Sequence, residues 1–216
     1  MRSILFGAIS LAALSVTSSL AADLPRSAPE VPVLVRAYSW TGFYLGINGG
    51  YGWGSSNWNA LNSSTRPSGG LAGGTIGYNW QTGAGVFGLE GDIDWADLKG
   101  NFTNVACPTG CQTSIGWLAT VRGRLGYAID RVMPYATGGL AVGDVKAAQL
   151  GVGSITGTQT GWTVGAGVEA AIAPNWTAKV EYLYVDLGNI NCRTCTAVTA
   201  VNFNANVVRA GLNWRF

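Results

Sequence analysis

The sequence contains no histidine. That removes His-based metal sites and any Ser-His or Cys-His nucleophile pair within the chain. Charge is also scarce: Asp, Glu, Lys and Arg make up 11% of residues, against about 25% in an ordinary soluble protein. The net charge of +2 offers no basic surface for nucleic acid, and none is expected as a partner. After residue 22 no stretch approaches the ~20 consecutive apolar residues that a spanning helix needs. No phosphate-cradling glycine loop is present, and no cofactor is expected.

What the chain has instead is 32 glycines, nine tryptophans and a two-residue period. Counting back from the end, Phe216, Trp214, Leu212, Ala210 and Val208 fall on one face of a strand. Arg215, Asn213, Gly211 and Arg209 fall on the other. Successive strand side chains point to opposite faces, so an apolar face is backed by a charged one.

The N-terminus indicates export. One positive charge at Arg2 precedes an apolar, uncharged run from Ile4 to Leu20. Small residues at Ser19 and Ala21 then fit a cleavage site before Ala22. This is the pattern of a secretory signal peptide, so residues 1–21 are assigned to it. Residues 22–39, with Pro25, Pro29 and Pro32 and no period, read as an extended periplasmic leader. Residues 40–216 read as one all-β domain.

Within that domain eight strands are expected. Phe43, Leu45, Ile47, Tyr51 and Trp53 mark the first, and Ala72, Ile76, Tyr78 and Trp80 the second. Phe87, Leu89, Ile93 and Trp95 mark the third. Ile115, Trp117, Ala119, Val121, Leu125 and Tyr127 mark the fourth, opposed by Thr120, Arg122 and Arg124. Ala136, Leu140 and Val142 mark the fifth. Trp162, Val164, Ala166, Val168 and Ile172 mark the sixth, Trp176, Ala178, Val180, Tyr182 and Tyr184 the seventh, and residues 198–216 the eighth. Short turns are expected at Gln81–Ala84, Ile129–Arg131 and Ala173–Asn175. Long loops are expected at 54–68, 97–112, 146–157 and 186–196. Alternation of short and long connections in an even-stranded set is the mark of an outer-membrane barrel. The fold class is therefore an eight-stranded antiparallel transmembrane β-barrel, with both termini on the periplasmic side. Closure is compulsory in lipid, where an open edge leaves backbone groups unpaired.

The aromatics fall into two rings on the apolar face. Phe43, Trp80, Phe87, Tyr127, Trp176, Trp214 and Phe216 lie near one end of the strands. Trp53, Trp95, Trp117, Trp162, Tyr182 and Tyr184 lie near the other. These are the girdles of a membrane barrel. The opposite face carries Glu90, Asp92, Asp94, Glu169 and Glu181 together with Arg122, Arg124, Lys179, Arg209 and Arg215. Hairpin geometry sets Glu90 near Arg122 and Glu169 opposite Lys179 as interior ion pairs. The charges suit either a selectivity lining or a filled interior. The width of an eight-stranded barrel favours the filled interior.

The chain resembles the small porin-family, or opacity-like, outer-membrane barrels of alphaproteobacteria, which share the OmpA-type eight-stranded fold. The match rests on Ala21-Ala22-Asp23-Leu24-Pro25, Trp40-Thr41-Gly42-Phe43-Tyr44-Leu45-Gly46, Pro134-Tyr135-Ala136-Thr137-Gly138-Gly139 and the stretch from Val207 to Phe216. The resemblance implies a structural and surface role in the Gram-negative envelope, with lipid and lipopolysaccharide as surroundings. It also implies that Leu212, Trp214 and Phe216 form the signal read by the outer-membrane assembly machinery. The competing function is a narrow porin for small solutes. An enzyme is not expected, since barrels that act on lipid or protein generally rely on histidine.

Four cysteines stand in two close pairs, Cys107-Pro-Thr-Gly-Cys111 and Cys192-Arg-Thr-Cys195. A four-Cys zinc site, a redox pair and disulfides are the alternatives. Passage through an oxidising periplasm favours local disulfides in two outer loops.

Overall fold

The computed structural model describes residues 38–58, 63–104, 107–149, 153–192 and 199–216. The expected signal peptide, and the leader up to residue 37, lie outside the described residues. What is described contains strands and turns. These are β1 (Gly42–Trp58), β2 (Ser63–Thr65), β3 (Ser68–Thr82), β4 (Gly85–Asn104), β5 (Cys107–Tyr127), β6 (Val132–Gln149), β7 (Gly153–Ala171), β8 (Trp176–Cys192) and β9 (Thr199–Arg215). Each long strand pairs antiparallel with the next, and β9 pairs back on β1 from Tyr44–Arg215 to Trp58–Val201. The result is a closed eight-stranded cylinder. The three-residue β2 is an addition to the expected set and pairs with the C-terminal end of β1.

The short turns fall where the sequence places them. Gly83, at φ +61°, lies in the first, where only a residue without Cβ turns the chain freely. Asp130, at φ +53°, lies in the second. Asp is among the few L residues that tolerate this conformation.

The expected long loops are mostly strand. β4 runs to Asn104 and β5 begins at Cys107, where a loop from 97 to 112 was expected. β6 runs to Gln149 and β7 begins at Gly153, where a loop from 146 to 157 was expected. The physical reason is that the backbone goes on pairing after the wall has left any apolar surroundings. Beyond the aromatic ring the outward face is polar, with Asp97, Lys99, Lys146, Thr156 and Thr158 exposed, and the apolar half of the period-two contrast disappears from the sequence while the ladder continues.

The sidedness follows the alternation. Ile47, Ile76, Leu89, Val121, Leu125, Leu140, Val180 and Leu212 are exposed on the outer wall, while the ten charges assigned to the opposite face are buried. Trp95 and Phe216 are 70% and 77% exposed. So large a continuous apolar exterior is far beyond the patches that water-soluble monomers tolerate. One assignment is corrected. Ile115 does not lie on the outer wall but is 4% exposed inside the barrel. A β-bulge between Ile115 and Leu118 inserts an extra residue and reverses the parity of β5 at that point.

The interior is also less uniformly polar than the sequence suggests. Leu71, Leu98, Leu118, Leu183, Leu187 and Phe203 head a buried apolar cluster. They lie toward the end of the barrel formed by the long hairpins. A smaller cluster of Trp40, Val86, Met133 and Ala171 closes the end formed by the short turns.

The outer wall makes a direct prediction. Val121→Arg places a charge on the exposed face midway between the aromatic rings. It should destabilise the barrel in phospholipid vesicles by about 2–4 kcal/mol, measured by reversible denaturant titration. An unchanged transition would show that this face does not meet hydrocarbon.

Candidate functional site

The site with the greatest concentration of chemistry is the middle of the lumen. An eight-stranded barrel is only wide enough inside for side chains. Here β4 sends in Glu90, Asp92 and Asp94, and β5 sends Arg122 and Arg124. β7 sends Glu169, β8 sends Lys179 and Glu181, and β9 sends Arg209.

These groups form one connected set. Arg122 donates to Glu90 at 2.5 Å, Asp92 at 2.6 Å and Glu181 at 3.0 Å. Arg209 donates to Glu181 at 2.6 Å and to Asp92 and Asp94 at 2.8 Å each. Lys179 Nζ reaches Glu90 at 2.9 Å. Arg124 binds Glu169, which also accepts from Thr177 and from Asn213 at 3.0 Å. Neutral donors complete the shell. The Tyr44 hydroxyl donates to Glu90 at 2.8 Å and the Tyr135 hydroxyl to Glu181 at 3.2 Å. Thr75 and Thr120 each donate to Asp92 at 2.8 Å. A buried charge is tolerated when it is paired and its remaining lone pairs are met. That condition is largely fulfilled here.

The structure brings Glu90 and Arg122 together as register neighbours. Glu169 and Lys179 are also register neighbours, but the expected ion pair between them is not made. The Lys179 ammonium crosses the lumen to Glu90, and Glu169 turns to Arg124. Register fixes where a Cβ starts. In a narrow cylinder a long side chain then has partners on strands across the axis as well as beside it.

That cross-lumen reach follows a pattern. In register across β1, β3, β4 and β5 stand Tyr44, Gly77, Glu90 and Arg122. In register across β6, β7, β8 and β9 stand Tyr135, Gly167, Glu181 and Arg209. The two halves of the barrel carry the same row. In each, the tyrosine lies over the glycine and donates to the glutamate one strand further on. A Cβ on Gly77 would fall within the Tyr44 phenol, and one on Gly167 would come within 2.7 Å of the Tyr135 hydroxyl. Each of the four cations in the set binds a carboxylate of the opposite half: Arg122 to Glu181, Arg124 to Glu169, Lys179 to Glu90, and Arg209 to Asp92 and Asp94. The network therefore ties the two half-cylinders across the axis. The sequence carries a signal for this. Val121-Arg122-Gly123-Arg124-Leu125-Gly126-Tyr127 and Val208-Arg209-Ala210-Gly211-Leu212-Asn213-Trp214 share Val, Arg, Leu and an aromatic at the same spacing.

The two ends of the lumen are stopped by different means. Toward the long hairpins the space left within the apolar cluster around Leu98, Leu187 and Phe203 is about 10 Å³, at the lower bound for holding one water. At the other end Trp40 is fully buried. Its backbone N–H donates to Gln81 Oε1 at 2.7 Å, and its indole N–H to the Asp130 carbonyl at 3.3 Å. The Arg215 guanidinium, the tenth interior charge, stands 4.9 Å from the Tyr38 ring centroid and donates to the Thr41 carbonyl at 2.9 Å. Tyr38 and Trp40 in turn meet edge to face at 5.0 Å.

The other sequence candidates lie away from the lumen. Leu212 and Trp214 point outward on β9, Phe216 is exposed just past its end, and Trp214 lies edge-to-face on Trp176. Cys107 and Cys111 belong to β5, and Cys192 ends β8; Cys195 lies outside the described residues. Among the described residues no cluster of acidic or thiol groups has the grouping of a metal site.

Arg122→Met should destabilise the barrel by about 3–5 kcal/mol, because it leaves Glu90, Asp92 and Glu181 each short of a partner. The double variant Arg122→Met/Glu90→Gln should lose less than the sum of the single losses in the same denaturant titration. Additive losses would mean that the two side chains act independently.

Comparison with known proteins places this architecture. The family model described as outer membrane protein beta-barrel domain matches residues 9–216. The chain is 40% identical over 244 residues to the 31 kDa outer-membrane immunogenic protein of Brucella melitensis, with 100% of each chain covered. It is 35% identical over 192 residues to the 22 kDa outer membrane protein of Rhizobium leguminosarum, covering 88% of this chain and 83% of that one. Among solved structures, the outer membrane protein OprG of Pseudomonas aeruginosa superposes with a TM-score of 0.55 at 12% identity. The match covers 83% of this chain and 99% of that one and is a likeness of fold alone.

Proposed function

The chain belongs to the outer-membrane β-barrel protein family, and from its filled lumen we propose that it is a sealed structural and surface barrel of the Gram-negative envelope. The observation that carries this is the stack inside the cylinder: apolar cluster, ion network, Trp40 floor. A conducting pore needs a continuous polar path. Here the charges of the polar layer are paired with one another, and the layer is closed at both ends by apolar side chains.

In this reading the short turns and both ends of the barrel domain face the periplasm, and the long hairpins project outside the cell. The wall sits among lipid and lipopolysaccharide, with its two aromatic rings at the interfaces. Leu212, Trp214 and Phe216, on the outer face of the last strand, remain available to assembly machinery until β9 closes on β1. No catalysis is assigned. The hairpin tips carry the cysteines as local disulfides. The register supports the first of these: Cys107 stands opposite Asn104 and Cys111 opposite Phe102. Four steps of β5 thus advance no further than two of β4, about 6.8 Å, near the upper limit of Cα separation for a disulfide.

Purified protein in planar bilayers should give no reproducible single-channel steps. Regular steps would favour the narrow porin. Mass spectrometry without reduction should show four hydrogens fewer than the reduced protein. A mass equal to that of the reduced form would remove the disulfides.

A further inference from the structure

Around its girth the wall is continuous only up to the ring of Trp95 and Trp162. β7 pairs with β6 along its whole length, from Val132–Ala170 to Gln149–Gly153. On its other side it pairs with β8 from Ala171–Thr177 to Trp162–Asp186, and no further among the described residues. β8 continues to Cys192 with β9 as its partner. The cause is local. A bulge separates Asp186 from Gly188, Gly188 takes φ +69°, and its N–H donates to Asp186 Oδ1 at 2.8 Å. Bulges with a left-handed glycine bend a strand and increase its twist. Gly161 packs on the Asp186 and Leu187 backbone at the fork, where a Cβ would collide. Beyond it, among the described residues, β8 pairs with β9 and not with β7, while the Ile155 side chain of β7 still packs on the interior cluster that includes Leu187 and Phe203.

Among the described residues this leaves Gly153 to Gly161 as a nine-residue strand edge, about 30 Å long. Its sequence is Gly-Ser-Ile-Thr-Gly-Thr-Gln-Thr-Gly. Natural edges are blunted by lysine, proline, inward charge or a bulge. This one has no charge and no proline, and its register with β6 runs without a shift. None of its residues is buried. The strand that could have covered it is the one that the Gly188 bulge turns aside.

We propose that the Gly153–Gly161 edge of β7 accepts an extended, uncharged segment of another protein by strand addition outside the cell. The proposal rests on the orientation given above, with the long hairpins external. Main-chain hydrogen bonds would supply the affinity, and Ser154, Thr156, Thr158 and Thr160 would meet β-branched side chains of the incoming strand. A second copy of this chain does not fit. Two copies in one membrane are related by an axis along its normal, so their β7 edges run in the same direction. Symmetric pairing of identical edges requires them to run in opposite directions.

The probe is a peptide of nine alternating Thr and Val residues, flanked by lysines for solubility and labelled for fluorescence anisotropy. Its control is the same peptide N-methylated at alternate residues, which removes the donors of one edge. With detergent-solubilised protein, the peptide should bind and the N-methylated peptide should bind at least ten-fold more weakly. Thr156→Lys/Thr160→Lys, two exposed positions outside the lumen, should weaken binding at least ten-fold while leaving the denaturation midpoint unchanged. Absence of binding in detergent, equal binding of the two peptides, or indifference to the lysines would overturn the edge as an acceptor. Intact cells displaying the protein should bind the peptide as well. Binding in detergent but not on cells would instead overturn the external orientation.

Discussion

Closure of β9 onto β1 is the constraint from which the remaining structure follows. A wall that faces apolar surroundings has nowhere to leave an unpaired backbone group. Joining the first and last strands satisfies those groups and at the same time fixes the diameter. Eight strands enclose a space that side chains must fill. The interior is thus filled by inward side chains and is not a conventional apolar core. It is a small volume, far from water, in which each inward residue must find a partner across the axis or beside it.

The chain meets that requirement with two copies of one device. Tyrosine over glycine, glutamate on the next strand and arginine on the one after recur in each half of the barrel. The glycines have a steric role: without Cβ atoms at Gly77 and Gly167 the phenols lie flat against the wall and their hydroxyls reach the carboxylates. The cations then bind across the axis, so neither half has its charges satisfied without the other. This makes the ion network a device of specificity, since an alternative strand register would strand several charges at once.

Much of this was legible from the two-residue period alone. Alternation separates Val121 from Arg122 and Leu212 from Arg209, and the ten interior charges read from it are the ten that are buried. The failures have particular causes. Ile115 shares the outward parity of its strand in the sequence, because a bulge has no signature in composition. The stretches 97–112 and 146–157 read as loops because their outward face meets water and needs no apolar residue. Glu169 and Lys179 were matched by register, whereas long side chains in a narrow cylinder choose partners in three dimensions. The apolar stopper around Leu98 and Leu187 was hidden because these leucines lie on the inward face, among stretches read as loop. The Val-Arg repeat in β5 and β9 was present in the sequence and would have pointed to the two halves.

The claim that most needs direct testing is that the ion network is sealed from water. Solid-state NMR of the protein in lipid bilayers can measure both sides of it, with labelled arginine and glutamate reporting Arg–carboxylate contacts and proton exchange between water and guanidinium groups. The structure predicts direct nitrogen–carboxylate proximity for Arg122 and Arg209, with slow transfer of magnetisation from water. Guanidinium groups that exchange rapidly with bulk water and show no fixed carboxylate partner would contradict a filled lumen.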